Sequence, residues 1–252
     1  MKKEDNTSLY GLIGYPLGHS FSKQYFTEKF DRLGIDASYL LFPLESIEQF
    51  PSLLENEKNL KGLNVTIPYK ETVMSFLNDI SEAVKEIGAV NVIRIEAKDE
   101  VYYLKGFNSD YIGFRDSLRP LLRKDIRKAL ILGTGGASKA VVFALKELGI
   151  EATKVSRTPA EGEITYSDLS DAIVSDHLLI INTTPLGMFP NTETYPPIPY
   201  NLLTPAHICY DLVYNPEKTE FMIRSAAMGA TVKNGLEMLH RQAEEAWRIW
   251  EN

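Results

Sequence analysis

The sequence predicts an α/β fold in two domains, the second of them a doubly wound parallel sheet. Three observations carry this. Short apolar runs alternate with helix-period patterns along most of the 252 residues, the mark of βα units. The run KALILG at 128–133 is unbroken and apolar, as a strand buried on both faces must be. Around 106–110 the pattern changes from a hairpin to regular strand–helix alternation, which places a domain boundary there.

Taken in order, LYGLIG at 9–14 reads as the first strand, followed by a helix near 22–33. ASYLLFP is the second strand and LKGLNVTI at 60–67 the third, with short helices expected at 69–77 and 80–86. NVIRIE and VYYLKGF form a hairpin across 91–107, and a helix follows at 108–122. After KALILG, the residues Ala140, Val141, Ala144, Leu145 and Leu148 make a stripe at helical spacing. EATKVS, HLLIIN at 177–182 and HICYDLVY at 207–214 complete the strands. Between the last two, 185–200 carries five prolines and reads as a long functional loop. The final helix presents Leu236, Leu239, Ala243, Trp247 and Trp250 on one side and is expected to pack back onto the first domain. The expected division is 1–107 plus 237–252, and 108–236.

Bulk properties exclude several classes. A net charge of −7 argues against non-specific nucleic-acid binding. The single cysteine, Cys209, allows no internal disulfide and no cysteine-rich zinc site. No apolar run approaches a membrane span, and MKKEDNTSLYG lacks the apolar core of a secretory signal. The expected location is the cytoplasm. The four histidines are scattered without metal-ligand spacing, so no metal is expected.

Gly133-Thr134-Gly135-Gly136-Ala137-Ser138 lies between a buried strand and an amphipathic helix, the context of a dinucleotide fingerprint. Gly133 permits the tight turn, Gly135 lets a pyrophosphate approach, and the helix start offers unpaired N–H groups. About twenty residues on, an NAD site places Asp or Glu against the ribose. Here Ser156, Arg157 and Thr158 stand instead. A guanidinium suits a 2′-phosphate, which favours NADP over NAD; the alternative is a solvated surface arginine.

Three clusters in the first half have compositions that core packing does not explain. In GYPLGHSFSKQYF, Ser20 and Ser22 open a helix; alone they read as a cap, together as a cradle for a carboxylate. In GLNVTIPYK, Asn64 and Thr66 share one face of a strand end and Lys70 follows Pro68. Read singly, Lys70 is a snorkelling surface lysine; in a cleft it is a proton donor. Asn91 closes GAVN, and Asn108 and Asp110 lie in KGFNSDYIGF, at the expected domain boundary.

Taken jointly, these segments resemble the shikimate dehydrogenase family. IGYPLGHSFS, NVTIPYK, GAVN, GFNSD, GTGGASKA, SRT, NTTPLGM, DLVYNPEKT and NGLEMLHRQA occur in that order between 13 and 243. The resemblance implies an N-terminal α/β substrate domain and a Rossmann-like NADP domain. It implies reduction of 3-dehydroshikimate to shikimate with NADPH, on the route to chorismate and the aromatic amino acids. By motif, Lys70 and Asp110 would be the catalytic pair. Ser20 and Ser22 would hold the substrate carboxylate, and Asn64, Thr66, Asn91, Asp110 and Gln242 the ring hydroxyls, with Tyr214 close by. Gly133, Gly135, Gly136, Ala137 and Ser138 would cradle the pyrophosphate. Ser156, Arg157 and Thr158 would take the 2′-phosphate, and Thr183, Thr184, Met188, Val213 and Gly235 would approach the nicotinamide.

The chain departs from the family pattern at Lys23, where proline is usual, and in NSD for NTD. Lys23 is expected to face water. The partner expected is the small-molecule substrate, with nucleic acid and membrane excluded and either a monomer or a homodimer allowed. Rival readings are a quinate/shikimate dehydrogenase that also uses NAD, a folate-type methylene dehydrogenase, and a non-catalytic NADP-binding sensor. The paired serines and the Asn/Thr/Asn set disfavour a pterin pocket, and the presence of both Lys70 and Asp110 disfavours a sensor.

Overall fold

Alternation along the strands decides the layering of both sheets. The computed structural model describes residues 7–18, 20–98 and 101–252. The hairpin tip at 99–100, His19, and the first six residues read against a secretory signal lie outside them. The described residues form two compact units. One holds the chain through Ser109 together with Ala243–Asn252; the other is Asp110–Gln242.

The first unit contains β1 (Ser8–Gly14), α1 (Phe21–Leu33), β2 (Ala37–Pro43), α2 (Phe50–Asn56), β3 (Leu60–Val65), β4 (Asp79–Ile80), α3 (Glu82–Ile87), β5 (Val92–Lys98) and β6 (Val101–Phe107). Its six-stranded sheet has the order β2-β1-β3-β5-β6-β4. β1, β2 and β3 are parallel, whereas β5 runs antiparallel to both β3 and β6. Ile13, Leu63, Val65, Ile93 and Ile95 point to a core shared with Phe50, Leu54 and Val84. Tyr10, Leu12 and Val92 point to the other face.

That second face is covered by Phe26 and Phe30 of α1 and by Ala243, Ala246, Trp247 and Trp250 of the last helix, α8 (Leu236–Glu251). Trp250 lies so close to Gly62 that a Cβ there would stand 2.3 Å from the indole ring. Its Nε1 donates to the Ile93 carbonyl at 3.1 Å, so the ring is buried without an orphaned donor. The expected stripe is thus seen in its C-terminal part; Leu236, at its start, is 40% exposed, and Met238 is buried instead in a core of the second unit.

The second unit adds α4 (Asp110–Leu118), β7 (Lys128–Leu132), α5 (Gly136–Glu147), β8 (Glu151–Val155), α6 (Asp171–Asp176), β9 (Leu179–Asn182), β10 (Ile208–Asp211), α7 (Glu220–Ala227) and β11 (Thr231–Lys233). Its strands are all parallel in the order β11-β10-β9-β7-β8. Ala129 and Ile131 of β7 enter a core with α4 and α5, while Leu130 and Leu132 enter the opposite one with α6 and α7. Burial on both faces is what the unbroken KALIL run requires. This is the doubly wound sheet expected.

Several boundaries differ from expectation. The third strand ends at Val65 rather than at 67, and Ile67 is 75% exposed. The helix expected at 69–77 is a 3-10 turn over Thr72–Phe76. The helix expected at 108–122 stops at Leu118, with a 3-10 turn over Arg119–Leu121; Pro120 has no N–H to continue it.

Candidate active site

Register brings the polar clusters of the first unit to a single edge of its sheet. Ile13 of β1 pairs with Val65 of β3, Asn64 with Val92 of β5, and Val92 with Phe107 of β6. β1, β3 and β6 therefore end where β5 begins. The segments carrying Ser20 and Ser22, Asn64 to Lys70, Asn91, and Asn108 with Ser109 all connect there. In open α/β sheets, ligands bind beyond such strand ends.

Ser20 is the N-cap of α1, its Oγ accepting from Lys23 N at 3.4 Å. Lys23 itself is exposed. Asn64 Oδ1 accepts from the phenol of Tyr39 at 2.8 Å, and its Nδ2 donates to the Asn91 carbonyl at 3.4 Å. Asn91 Oδ1 accepts from Ser109 N at 2.6 Å and its Nδ2 donates to Ser109 Oγ at 3.1 Å. Both amides are thereby oriented by their neighbours. Thr66 is fixed by its backbone N–H to the Ile13 carbonyl at 2.9 Å.

The turn bearing Lys70 is pinned on each side. Tyr69 is buried, with its hydroxyl on the Leu44 carbonyl at 2.5 Å. The Lys70 carbonyl accepts from Val90 N at 2.7 Å. The lysine side chain is half-buried. Asp110, the first residue of both the second unit and α4, is buried at 7% exposure. A carboxylate in a helix's first turn is favoured by the unpaired N–H groups there. Gln242 is the last residue of the second unit, packed where α8 crosses Gly113.

In the second unit, β8 and β9 flank β7, so the order of strand addition reverses between β7 and β9. The loop after β7 carries Gly133 and Gly135, and Gly136 and Ala137 open α5; the loop after β9 carries Thr183 and Thr184. Both open at this switch point, where dinucleotides bind in sheets of this kind. Gly133 has φ of +105°, and a Cβ on it would stand 2.9 Å from Thr184 Cγ2. At Gly135 and Gly136 a Cβ would meet nothing within 4 Å. The N-cap of α5 has no side-chain hydrogen bond, and its first turn no acidic residue, which leaves its backbone donors suited to an anion.

Ser138 contributes differently from its neighbours. It is fully buried, with its hydroxyl turned back onto the Gly135 carbonyl at 2.6 Å, so it braces the loop. At the end of β8, Ser156 Oγ accepts from Thr158 N at 3.2 Å, and Arg157 is exposed. Among the described residues, no hydrogen bond or ion pair engages Arg157. Its positive charge does reach Tyr166, opposing the rise that burial imposes on that phenol.

The remaining residues form a tied edge. Thr183 Oγ1 donates to the Leu132 carbonyl at 2.8 Å, and Thr184 Oγ1 to Asn182 Oδ1 at 2.6 Å. Met188 is 46% and Tyr214 41% exposed. Gly235 donates to the Val213 carbonyl at 3.1 Å, and a Cβ on it would fall 2.1 Å from the Leu212 carbonyl oxygen. Only glycine fits.

Sequence reasoning missed the group beneath this edge. Asp211, at the end of β10, is fully buried. It accepts from Asn182 Nδ2 at 3.0 Å, Val213 N at 3.0 Å and Thr219 Oγ1 at 2.5 Å. Burial outweighs these three donors and raises its carboxyl to about 6. A lone acid inside the apolar HICYDLVY run was the available signal. Among the described residues, no group of three His, Cys, Asp or Glu side chains could hold a metal, and no helix is long and apolar enough to cross a membrane.

A doubly wound sheet with a glycine loop at its switch point, joined to a mixed sheet with a polar edge, defines a two-unit α/β protein with a Rossmann-like second half. Residues 12–93 match the model of the shikimate dehydrogenase substrate binding domain. The shikimate dehydrogenase (NADP(+)) of Caldanaerobacter subterraneus subsp. tengcongensis is 35% identical, over 99% of this chain and 94% of its own. Shikimate 5-dehydrogenase of Thermus thermophilus, solved with NADP(H) and shikimate, has a TM-score of 0.83 and 30% identity, covering 96% of this chain and 93% of that one. The Listeria monocytogenes enzyme, solved with shikimate and NAD, has a TM-score of 0.85 and 27% identity, covering 97% and 92%. The chain belongs to the shikimate dehydrogenase family.

Proposed function

We propose that the protein catalyses the NADPH-dependent reduction of 3-dehydroshikimate to shikimate in the cytoplasm. The observation that carries this reading is the polar edge of the first sheet. There, short donors and acceptors (Ser20, Ser22, Asn64, Thr66 and Asn91) gather at the ends of apolar strands. A polyol carboxylic acid needs such a set, and an apolar ligand does not. In this reading residues 1–107 plus 237–252 bind the substrate and 108–236 bind NADP.

The cofactor fits the chain's own residues. Gly135 and Gly136 leave open space at an uncapped helix start, where the pyrophosphate would lie with Gly133 and Ala137. Ser156, Arg157 and Thr158 would hold the 2′-phosphate, and Thr183, Thr184, Met188, Val213 and Gly235 would border the nicotinamide. NADPH, when bound, supplies the hydride.

Hydride addition to the ring ketone shifts the carbonyl electron pair onto oxygen. We assign Lys70 to stabilise that charge and to give the oxygen its proton. Asp110 is assigned as the catalytic partner of Lys70, accepting a hydrogen bond from a substrate hydroxyl. Ser20 and Ser22 orient the carboxylate, and Asn64, Thr66, Asn91, Gln242 and Tyr214 the ring.

The test is a spectrophotometric assay of shikimate and quinate, each with NADP and NAD. Shikimate with NADP should be turned over fastest. Faster turnover of quinate, or equal rates with NAD, would support instead the dual-specificity reading, to which the single cation at Arg157 gives some weight. Replacing Arg157 with alanine should raise the KM for NADPH about tenfold or more, since one charge-assisted contact is lost, while leaving that for NADH unchanged. Equal changes would defeat the 2′-phosphate assignment.

A further inference from the structure

Tyr39 stands one layer behind the polar edge and is not among the family residues named above. Its ring is 3% exposed and stacks on Phe26 at 4.9 Å between centroids, with an interplanar angle of 13°. Its phenol donates to Asn64 Oδ1 at 2.8 Å. Burial holds that phenol far above its ordinary pKa, against a smaller lowering by the Ser22 hydroxyl, so it keeps its proton throughout the working pH range.

The consequence for Asn64 is specific. A side-chain amide can turn end for end unless its partners differ. Here Nδ2 meets a partner that can only accept, the Asn91 carbonyl at 3.4 Å, which leaves Oδ1 to accept from the Tyr39 phenol. One N–H of the amide has no further partner among the described residues. The amide is therefore held with a donor to offer.

We infer that Tyr39 is a positioning residue for the substrate: its hydroxyl fixes the amide of Asn64 in the orientation that receives a ring hydroxyl. This rests on the assignment of Asn64 to the substrate site. The reaction needs no chemistry from Tyr39.

Tyr39→Phe tests it, because phenylalanine keeps the stack on Phe26 and removes only the oxygen. Steady-state kinetics of the full chain with shikimate and NADP should show the KM for shikimate raised about fivefold to tenfold, the effect of one hydrogen bond. The KM for NADP and kcat should stay within about twofold. In an Asn64→Ala background, the same substitution should add little to the KM for shikimate, as expected for residues acting as a unit. An unchanged KM for shikimate, an equal rise in both KM values, or full additivity with Asn64→Ala would overturn the inference. Asn64→Ala, made alone, separates the two levels. If it does not raise the KM for shikimate, the assignment of Asn64 to the substrate site itself fails and Tyr39 falls with it. If it does while Tyr39→Phe does not, only the positioning role is lost.

Discussion

Lys70→Ala is expected to lower kcat by two or more orders of magnitude while leaving the Kd for NADP nearly unchanged. General acid catalysis by a positioned group contributes about 10²- to 10⁴-fold, and alanine removes both the proton and the charge that meets the developing oxyanion. The turn holding Lys70 does not depend on its side chain. Tyr69 anchors it through Leu44, and the backbone of residue 70 still receives the Val90 N–H. The variant should therefore fold normally. Turnover measured beside fluorescence titration with NADP checks both halves. A comparable loss of NADP binding would assign the lysine a structural task and remove the proposed acid.

Asp211→Ala is expected to destabilise the second unit by about 3 kcal/mol or more. Three donors converge on this carboxylate from separate segments: Asn182 at the end of β9, Val213 after β10, and Thr219 at the cap of α7. Each buried group left unpaired costs about 1–3 kcal/mol, and alanine satisfies none of them. For a chain of this size, a melting temperature lower by roughly 6–12 °C follows. The effect also depends on pH. The folded carboxyl titrates near 6 against 3.8 as its ordinary value, so the folded state binds the proton more tightly than the unfolded chain does. This group's contribution is then full below about pH 4 and declines as pH rises through 6. Calorimetry of wild type and Asp211→Asn between pH 4 and 7 should show that slope in the wild type alone. Identical slopes would mean that the carboxyl titrates at an ordinary value.

Much of this arrangement was legible in the amino-acid order. β1, β2, β7 and β9 could be read because long apolar runs between turn residues have few other uses. α2, α6, α7, β4 and β11 were missed; they span two to eight residues, too short for a periodic signal. The chemistry-bearing residues stood out wherever a polar side chain broke an apolar strand end, as at Asn64 and Thr66. Residues that act through others did not stand out. Tyr39 looks like any core aromatic until its hydroxyl is traced to Asn64, and Ser138 looks like a phosphate donor until its hydroxyl is found on Gly135.

The last turns of α8 impose an order of events on biosynthesis. Tyr10, Phe26 and Phe30 emerge early from the ribosome, yet the aromatic partners that cover them, Trp247 and Trp250, are polymerised only after the whole of the second unit. The leading half must wait, partly unsealed, while the trailing half is made. Both tryptophans sit in that late segment, so the moment of sealing should be visible as a single change in indole emission.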